Sequence, residues 1–294
     1  MFWIILVKFK VVFSCAVLFS SSYLIADEGL LISEIERIES HLDARVGFAA
    51  YDTESDMRWE YNSEQRFALA STFKTLACAA LLARVDAGSE QLTRSISVSS
   101  SDLVTYSPVL EEYADNRNIN LSELCEATMT ISDNTAANLI LQSLGGPESV
   151  TAFARQLGDD VTRLDRWETE LNEAVPGDER DTTTPNAMIG NLEQLLLGNV
   201  LTEESINLLK TWLINNQVAD DLFRSVKPDG WIIGDRTGAG GFGSRAITAV
   251  IWPPERKPIF VAFYITETTA SFEERNAAIE QLGRVLMESI ESSE

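Results

Sequence analysis

Apolar residues recur along this chain at spacings that predict helices near both ends and through the middle. The spacing between Leu31 and Leu42 predicts an amphipathic helix over 30–42. The segment from Ser71 to about Ala87 is almost wholly apolar after its first turn, which predicts a buried central helix. Further helices are predicted over 121–128, 135–144, 149–157, 185–197, 203–215 and 272–290.

Segments of strand character lie on either side of this helical middle. Residues 45–51 and 57–61 are predicted to pair around an acidic turn, and three later strands are predicted over 231–237, 245–252 and 258–265. Terminal strands and helices that flank a helical middle indicate an α/β layer built from both chain ends, with an all-helical lobe inserted between them. A functional site is expected where the two lobes meet.

The first 26 residues differ from the rest. Two lysines precede an apolar run over Val11–Ile25, which is typical of an export signal cleaved near Ala26. That run of about 15 residues is shorter than the roughly 20 that a membrane-spanning helix needs. We therefore predict a soluble, exported protein, periplasmic in a Gram-negative cell, with a mature part of 27–294. A lipid anchor on Cys15 is the alternative, although apolar sequence continues well past it.

Composition narrows the classes of function. The 294 residues are 45% hydrophobic and carry 23 basic against 45 acidic residues, a formal net charge of −22. This is a globular composition, and it is too acidic for a nucleic-acid-binding protein. The single histidine, His41, is predicted at the surface end of the first helix. A histidine-based zinc site or serine–histidine pair is therefore not expected, and proton transfers are assigned to lysine and carboxylates. We predict no metal and no cofactor.

Two cysteines, Cys78 and Cys125, lie outside the predicted signal. In an oxidising compartment an even pair favours one disulfide, and two buried free thiols are the alternative. Their predicted role is structural in both cases.

Three short motifs contain candidate catalytic residues. Ser71 and Lys74 lie one turn apart at the start of the apolar helix, where a buried lysine can help to activate a serine nucleophile. Ser132-Asp133-Asn134 precedes another helix, and its residues are also ordinary helix caps. Arg236-Thr237-Gly238 lies on a predicted strand, where glycine permits close approach of a substrate, although a flexible hairpin has the same pattern.

In this order, the three motifs resemble those of the penicillin-recognising serine hydrolases. A fourth motif, Glu168-Thr169-Glu170-Leu171-Asn172, is similar to the Glu-x-x-Leu-Asn element of class A serine β-lactamases, and the likeness extends from the first helix to the last. It implies an antiparallel five-stranded sheet flanked by N- and C-terminal helices, plus an inserted all-helical lobe. The implied single domain has an α/β lobe of about 27–62 and 216–294 and an all-α lobe of about 63–215 that contains an Ω loop, 163–181.

The resemblance also implies roles for individual residues. Ser71 is the implied nucleophile, while Lys74 and Ser132 handle protons. Glu168 and Asn172 are implied to direct the water that hydrolyses the acyl-enzyme, and whether Lys74 or Glu168 is the acylation base stays open. The other implied residues are the amides of Ser71 and Ala239 in the oxyanion hole, Tyr106, Asn134, Arg236, Thr237, Gly238 and Arg245 in the cleft, the Arg166–Asp181 ion pair, and a Cys78–Cys125 disulfide.

One residue departs from most of the family, which has lysine where this chain has Arg236. Arginine keeps its proton in proteins, but its fork can bind a carboxylate. The change resembles the carbenicillin-hydrolysing subgroup, so the implied function is resistance through hydrolysis of penicillins, carboxypenicillins included, and some cephalosporins. The implied partners are small β-lactams, with no nucleic acid or membrane, and the implied state is a monomer. An acylated penicillin-binding or sensor domain without efficient turnover is the alternative, which Glu168 and Asn172 disfavour.

Overall fold

The computed structural model describes residues 18–115 and 117–292. Most of the predicted export signal, 1–17, lies outside the described residues, so that prediction stays a prediction. The described residues contain no helix with the length and hydrophobicity that a membrane span requires.

Helices account for most of the regular secondary structure in the described part of the chain. The eight α-helices of the described residues are α1 (Leu18–Leu42), α2 (Phe73–Asp86), α3 (Leu121–Glu126), α4 (Asn134–Leu144), α5 (Glu148–Gln156), α6 (Pro185–Leu197), α7 (Glu203–Ile214) and α8 (Phe272–Ser292). Their starts follow local capping chemistry. Thr184 and Thr202 accept hydrogen bonds from the first turns of α6 and α7, and Pro185 occupies the first helical position of α6.

The strands come from both halves of the chain. They are β1 (Arg45–Asp52), β2 (Met57–Tyr61), β3 (Phe67–Ala68), β4 (Ser95–Ser97), β5 (Asn118–Asn120), β6 (Thr182–Thr183), β7 (Ile232–Ala239), β8 (Arg245–Trp252) and β9 (Ile259–Thr266). The five long ones form an antiparallel sheet in the order β2-β1-β9-β8-β7, with β1 and β9 paired from Arg45↔Thr266 to Asp52↔Ile259. The predicted layer built from both chain ends is therefore confirmed.

The sheet lies between two hydrophobic cores. Along β9, residues Phe260, Ala262 and Tyr264 belong to the core shared with the inserted helices, whereas the residues between them pack in the core of α1 and α8. A strand buried on both faces reads as a continuous apolar run, as this one does. Helix α2 lies at the centre of the other lobe, and every residue from Phe73 to Leu82 is buried, as its all-round apolar character predicts.

Some boundaries differ from the predicted ones. Helix α1 begins at Leu18 rather than at residue 30, and the helix predicted over 121–128 ends at Glu126, where a π-helical turn, Ala127–Ile131, follows. Two short strand pairs, β3–β6 and β4–β5, were not predicted, because strands of two or three residues leave no periodic signal. His41 is exposed at the end of α1, as predicted. A disulfide joins Cys78 of α2 to Cys125 of α3.

Candidate active site

Ser71 lies in a single 3₁₀ turn, Ala70–Thr72, directly before α2. Strand β7 packs tightly against this turn, since a Cβ on Gly238 would lie 2.9 Å from Ala70 Cβ and 3.0 Å from the Ser71 amide nitrogen. Glycine was expected here to admit a substrate, but the structure shows that it admits the backbone of the turn. Ala70 also has a φ of 41°, a left-handed conformation that is strained for alanine.

Lys74 lies one helical turn after Ser71, in the first turn of α2, and is completely buried. Its Nζ donates to the Ser132 carbonyl oxygen at 3.0 Å, to Ser132 Oγ at 3.2 Å and to Asn134 Oδ1 at 2.6 Å. Since an ammonium has three protons, the fourth neighbour, Glu168 Oε1 at 3.2 Å, is held by charge. Burial lowers the pKa of Lys74 to about 8, although the Glu168 carboxylate opposes this shift.

The Ser132-Asp133-Asn134 motif places one residue beside Ser71 and another at the start of a helix. Ser132 has a left-handed φ of 68°, and its Oγ donates to Ser71 Oγ at 3.3 Å. Asp133 is the cap of α4, because its carboxylate accepts from the Ala136 amide as well as from two amides of the preceding loop. The capping interpretation therefore holds for Asp133, while Ser132 faces Ser71.

Asn134 connects the motif to the opposite wall of the cleft. Its Nδ2 donates to the Thr105 carbonyl oxygen at 2.9 Å, and its backbone N–H donates to the Tyr106 carbonyl oxygen at 3.0 Å. These bonds hold Tyr106, which has a φ of 65° and remains about half exposed at the rim.

Glu168 lies on the loop between α5 and α6, and 2% of its surface is exposed. Its Oε2 accepts from Asn172 Nδ2 at 2.5 Å, whereas its Oε1 accepts no hydrogen bond among the described residues. Asn138 of α4 holds the backbone of Glu168 from both sides, donating to its carbonyl oxygen and accepting from its amide, each at 2.9 Å. The sequence analysis missed Asn138, since nothing local marks it.

An ion pair closes this loop. Arg166 Nε lies 2.6 Å from Asp181 Oδ2, and Asp181 Oδ1 accepts from the amides of Asp165 and Arg166 at 2.7 and 2.9 Å. Arg166 also pairs with Glu173 at 2.6 Å. The two ends of the loop are therefore fixed to each other around a fully buried carboxylate.

The two arginines on the neighbouring strands have different environments. Arg236 is fully buried behind the cleft, where its Nη2 donates to Ser132 Oγ through a short contact and burial lowers its pKa to about 10. Arg245 reaches the cleft itself. Its Nε donates to Asn276 Oδ1 at 2.8 Å and its Nη1 to the Gly238 carbonyl oxygen at 3.1 Å.

These elements enclose one cleft between the lobes. Nine of its lining residues were predicted, and Val218 and Phe272 were not. The lining residues are Ser71, Tyr106, Ser132, Asn134, Asn172, Val218, Thr237, Gly238, Ala239, Arg245 and Phe272. Lys74, Glu168 and Arg236 are buried next to this surface, and in the structure Arg236 reaches the cleft through Ser132.

Comparison with known proteins decides what this arrangement is. The model of the β-lactamase enzyme family matches residues 30–290. The chain belongs to this family. Among curated β-lactamases, CARB-4 of Pseudomonas aeruginosa is 52% identical over 251 residues, 85% of this chain and 87% of that protein. AER-1 of Aeromonas hydrophila is 46% identical over 264 residues, 90% and 87% of the two chains.

Solved structures agree with this assignment. The chromosome-encoded β-lactamase of Vibrio parahaemolyticus matches with a TM-score of 0.86 and 45% identity, over 88% of this chain and 98% of that one. An ancestral class A β-lactamase matches with a TM-score of 0.86 and 49% identity, over 88% and 99%. The resemblance and the fold class predicted from the motifs are confirmed. The protein is a β-lactam hydrolase of class A.

The charges of this β-lactamase suit an anionic substrate. Lys74, Arg236 and Arg245 lie around Ser71 and the adjoining strand, while Glu168 is the carboxylate in direct contact with Lys74. Asp235, behind Arg236, is already paired with Arg224 at 2.7 Å. The cleft is therefore locally positive within a chain whose formal net charge is −22.

Proposed function

We propose that this β-lactamase hydrolyses penicillins, carboxypenicillins among them, and some cephalosporins through an acyl-enzyme on Ser71 that Glu168 deacylates. The observation that carries this proposal is one continuous polar chain. It runs from Ser71 Oγ to Ser132 Oγ at 3.3 Å, to Lys74 Nζ at 3.2 Å and to Glu168 Oε1 at a further 3.2 Å. It joins the nucleophile to two groups able to exchange its proton.

In acylation, Ser71 Oγ bonds to the lactam carbonyl carbon, and the ring carbon–nitrogen bond then breaks. Ser132 Oγ accepts hydrogen bonds from two cations, Lys74 and Arg236, so its own proton is directed away from them. We assign to it delivery of a proton to the departing nitrogen. The amides of Ser71 and Ala239 are the proposed donors to the oxyanion. The base of this step, Lys74 or Glu168, stays open.

In deacylation, Glu168 takes a proton from water as the water oxygen bonds to the acyl carbon. The bond from that carbon to Ser71 Oγ then breaks, and the proton taken by Glu168 returns to Ser71 Oγ. Support comes from Oε1 of Glu168, a buried carboxylate oxygen that is paired by charge with Lys74 Nζ at 3.2 Å and keeps lone pairs able to accept a hydrogen bond from water. Asn172 and Asn138 hold the carboxylate and the backbone of Glu168, so the group is preorganised for this transfer.

The carboxylate common to β-lactams is assigned to Arg245 and Thr237. Arg245 Nη2 donates to no acceptor among the described residues, so it has protons free for a ligand in the cleft. Arg236 adds positive charge from behind. The inclusion of carboxypenicillins among the substrates rests on the resemblance of this arginine to that of the carbenicillin-hydrolysing subgroup.

Steady-state hydrolysis of carbenicillin and of a chromogenic cephalosporin tests the proposal. We expect turnover by the unchanged enzyme and a loss of at least about a thousandfold in Ser71→Ala. Glu168→Ala should open about one equivalent of lactam ring and then stop, with the opened substrate still bonded to Ser71, whereas Glu170→Ala, which changes an exposed carboxylate on the same loop, should behave as the unchanged enzyme. Continued turnover by Glu168→Ala would contradict the proposed deacylation.

We also propose that residues 1–26 direct export and are removed, and that 27–294 acts in the periplasm as a monomeric single domain that confers β-lactam resistance. The sequence pattern of the first 26 residues supports this. The mass of the protein from a periplasmic extract should correspond to a chain that begins near Asp27. A mass that retains the first 26 residues would contradict it.

A further inference from the structure

We propose that Phe272, with Val218, selects among β-lactam substrates by contacting the carbon substituents next to their carboxylate. The inference rests on the proposed role of Arg245 as the ligand of that carboxylate. It assigns to these apolar residues a preference for the penicillin ring system over the cephalosporin ring system.

Phe272 is an apolar residue whose side chain is exposed to solvent. It is 49% exposed and lines the cleft, although it is the first residue of α8, a helix that otherwise packs on the sheet. Its position is fixed by a capping box, in which Glu274 N donates to Ser271 Oγ at 3.1 Å and Ser271 N donates to Glu274 Oε2 at 2.7 Å. An exposed aromatic ring on a rigid element at the rim of a cleft is a typical contact for a ligand.

The ring also lies beside the guanidinium that faces the substrate. The Arg245 Cζ is 4.8 Å from the ring centroid of Phe272, and Asn276 on the same helix holds the Arg245 Nε. Since Nη2 of Arg245 is the open donor, a carboxylate bound there brings the neighbouring atoms of the substrate next to Phe272. Val218 lines the same cleft.

Penicillins and cephalosporins differ at these neighbouring atoms. In a penicillin, the carbon that bears the carboxylate adjoins a carbon with two methyl groups. In a cephalosporin, the carboxylate is on an unsaturated carbon of a six-membered ring, and the geminal methyl groups are absent. Methyl groups placed against Phe272 and Val218 remove apolar surface from water, so this contact strengthens the binding of penicillins and not that of cephalosporins.

Ampicillin and cephalexin test this, because they have the same acyl side chain and different rings. For Phe272→Ala we expect kcat/KM for ampicillin to fall about tenfold, mainly through KM, and kcat/KM for cephalexin to change less than about twofold. Phe272→Leu should restore most of the ampicillin value, because it keeps apolar area without an aromatic face. The control is Leu197→Ala, which removes a comparably exposed apolar side chain at the end of α6 and should change neither substrate.

Equal losses on both substrates would overturn the inference, because they would show that Phe272 only positions Arg245. Unchanged kinetics in Phe272→Ala would overturn it as well. Ampicillin hydrolysis by the unchanged enzyme tests the proposed function separately, and its absence would refute that function and this inference together.

Discussion

The ion pair that closes the loop around Glu168 offers a quantitative test of how the site is held. Asp181 is fully buried and accepts three hydrogen bonds, one from the Arg166 guanidinium and two from backbone amides. In Asp181→Asn the side chain keeps its shape. Its new NH₂ group, however, must face either the Arg166 guanidinium or the backbone amides, and all of these are hydrogen-bond donors that then lose their acceptor. Breaking a buried charged pair in this way costs about 4 kcal/mol, against at most about 1 kcal/mol for an exposed pair.

At about 2 °C per kcal/mol for a domain of this size, the melting temperature should fall by about 8 °C. Deacylation should slow too, since Glu168 lies between Arg166 and Asp181 in the sequence. Circular dichroism melting and steady-state hydrolysis measure the two effects. The control is Asp178→Asn, the same change in the same loop, whose partner Arg180 is half exposed. If the two variants melt at the same temperature, the assignment of the buried pair is refuted.

Three further predictions concern charge and the disulfide. Lys74 has a pKa of about 8, lowered by burial from 10.5, so between these values the unfolded chain binds a proton that the folded chain does not. The free energy of unfolding, compared with Lys74→Met in urea at pH 8, 9 and 10, should therefore rise with pH by up to about 1.4 kcal/mol per unit, and a flat difference contradicts this. Replacing Cys78 and Cys125 by serine opens a loop with a sequence separation of 47 and should cost about 4 kcal/mol in urea unfolding, while a cost under about 1 kcal/mol contradicts it. Because substrate and protein are both anionic, with a chain charge of −22, kcat/KM should increase as NaCl rises from about 10 to 150 mM, and a decrease would show that the positive cleft dominates.

Elements with strong local signals were predicted closely. Helix α6 runs over Pro185–Leu197 and β8 over Arg245–Trp252, both as predicted, because a capping threonine, a first-turn proline and runs of β-branched residues act within a few positions. Helix starts were also predicted at Ser71-x-x-Lys74 and Ser132-x-Asn134, and α2 and α4 begin within these motifs, because the geometry of a helix start is local.

Features that depend on distant parts of the chain could not be predicted. Glycine is required at 238 because the turn at Ala70 packs against it. The backbone of Glu168 is held by hydrogen bonds with Asn138, which lies on a distant helix. The burial of Arg236 behind Ser132 is likewise a tertiary effect, because nothing in a strand sequence tells which face a long polar side chain will find covered. Phe272 was missed because an apolar residue at a helix start normally packs inward.

The most direct test of the central claim is the fate of the acyl group on Ser71 once Glu168 is removed. Intact-mass measurement after mixing Glu168→Ala with carbenicillin should show one persistent adduct per chain, which maps to the peptide that contains Ser71. The unchanged enzyme and Glu170→Ala should return to their unmodified masses within the same time. Loss of the adduct from Glu168→Ala as fast as from the unchanged enzyme, or continued turnover by Glu168→Ala without a persistent adduct, would contradict the assignment of Glu168 to deacylation.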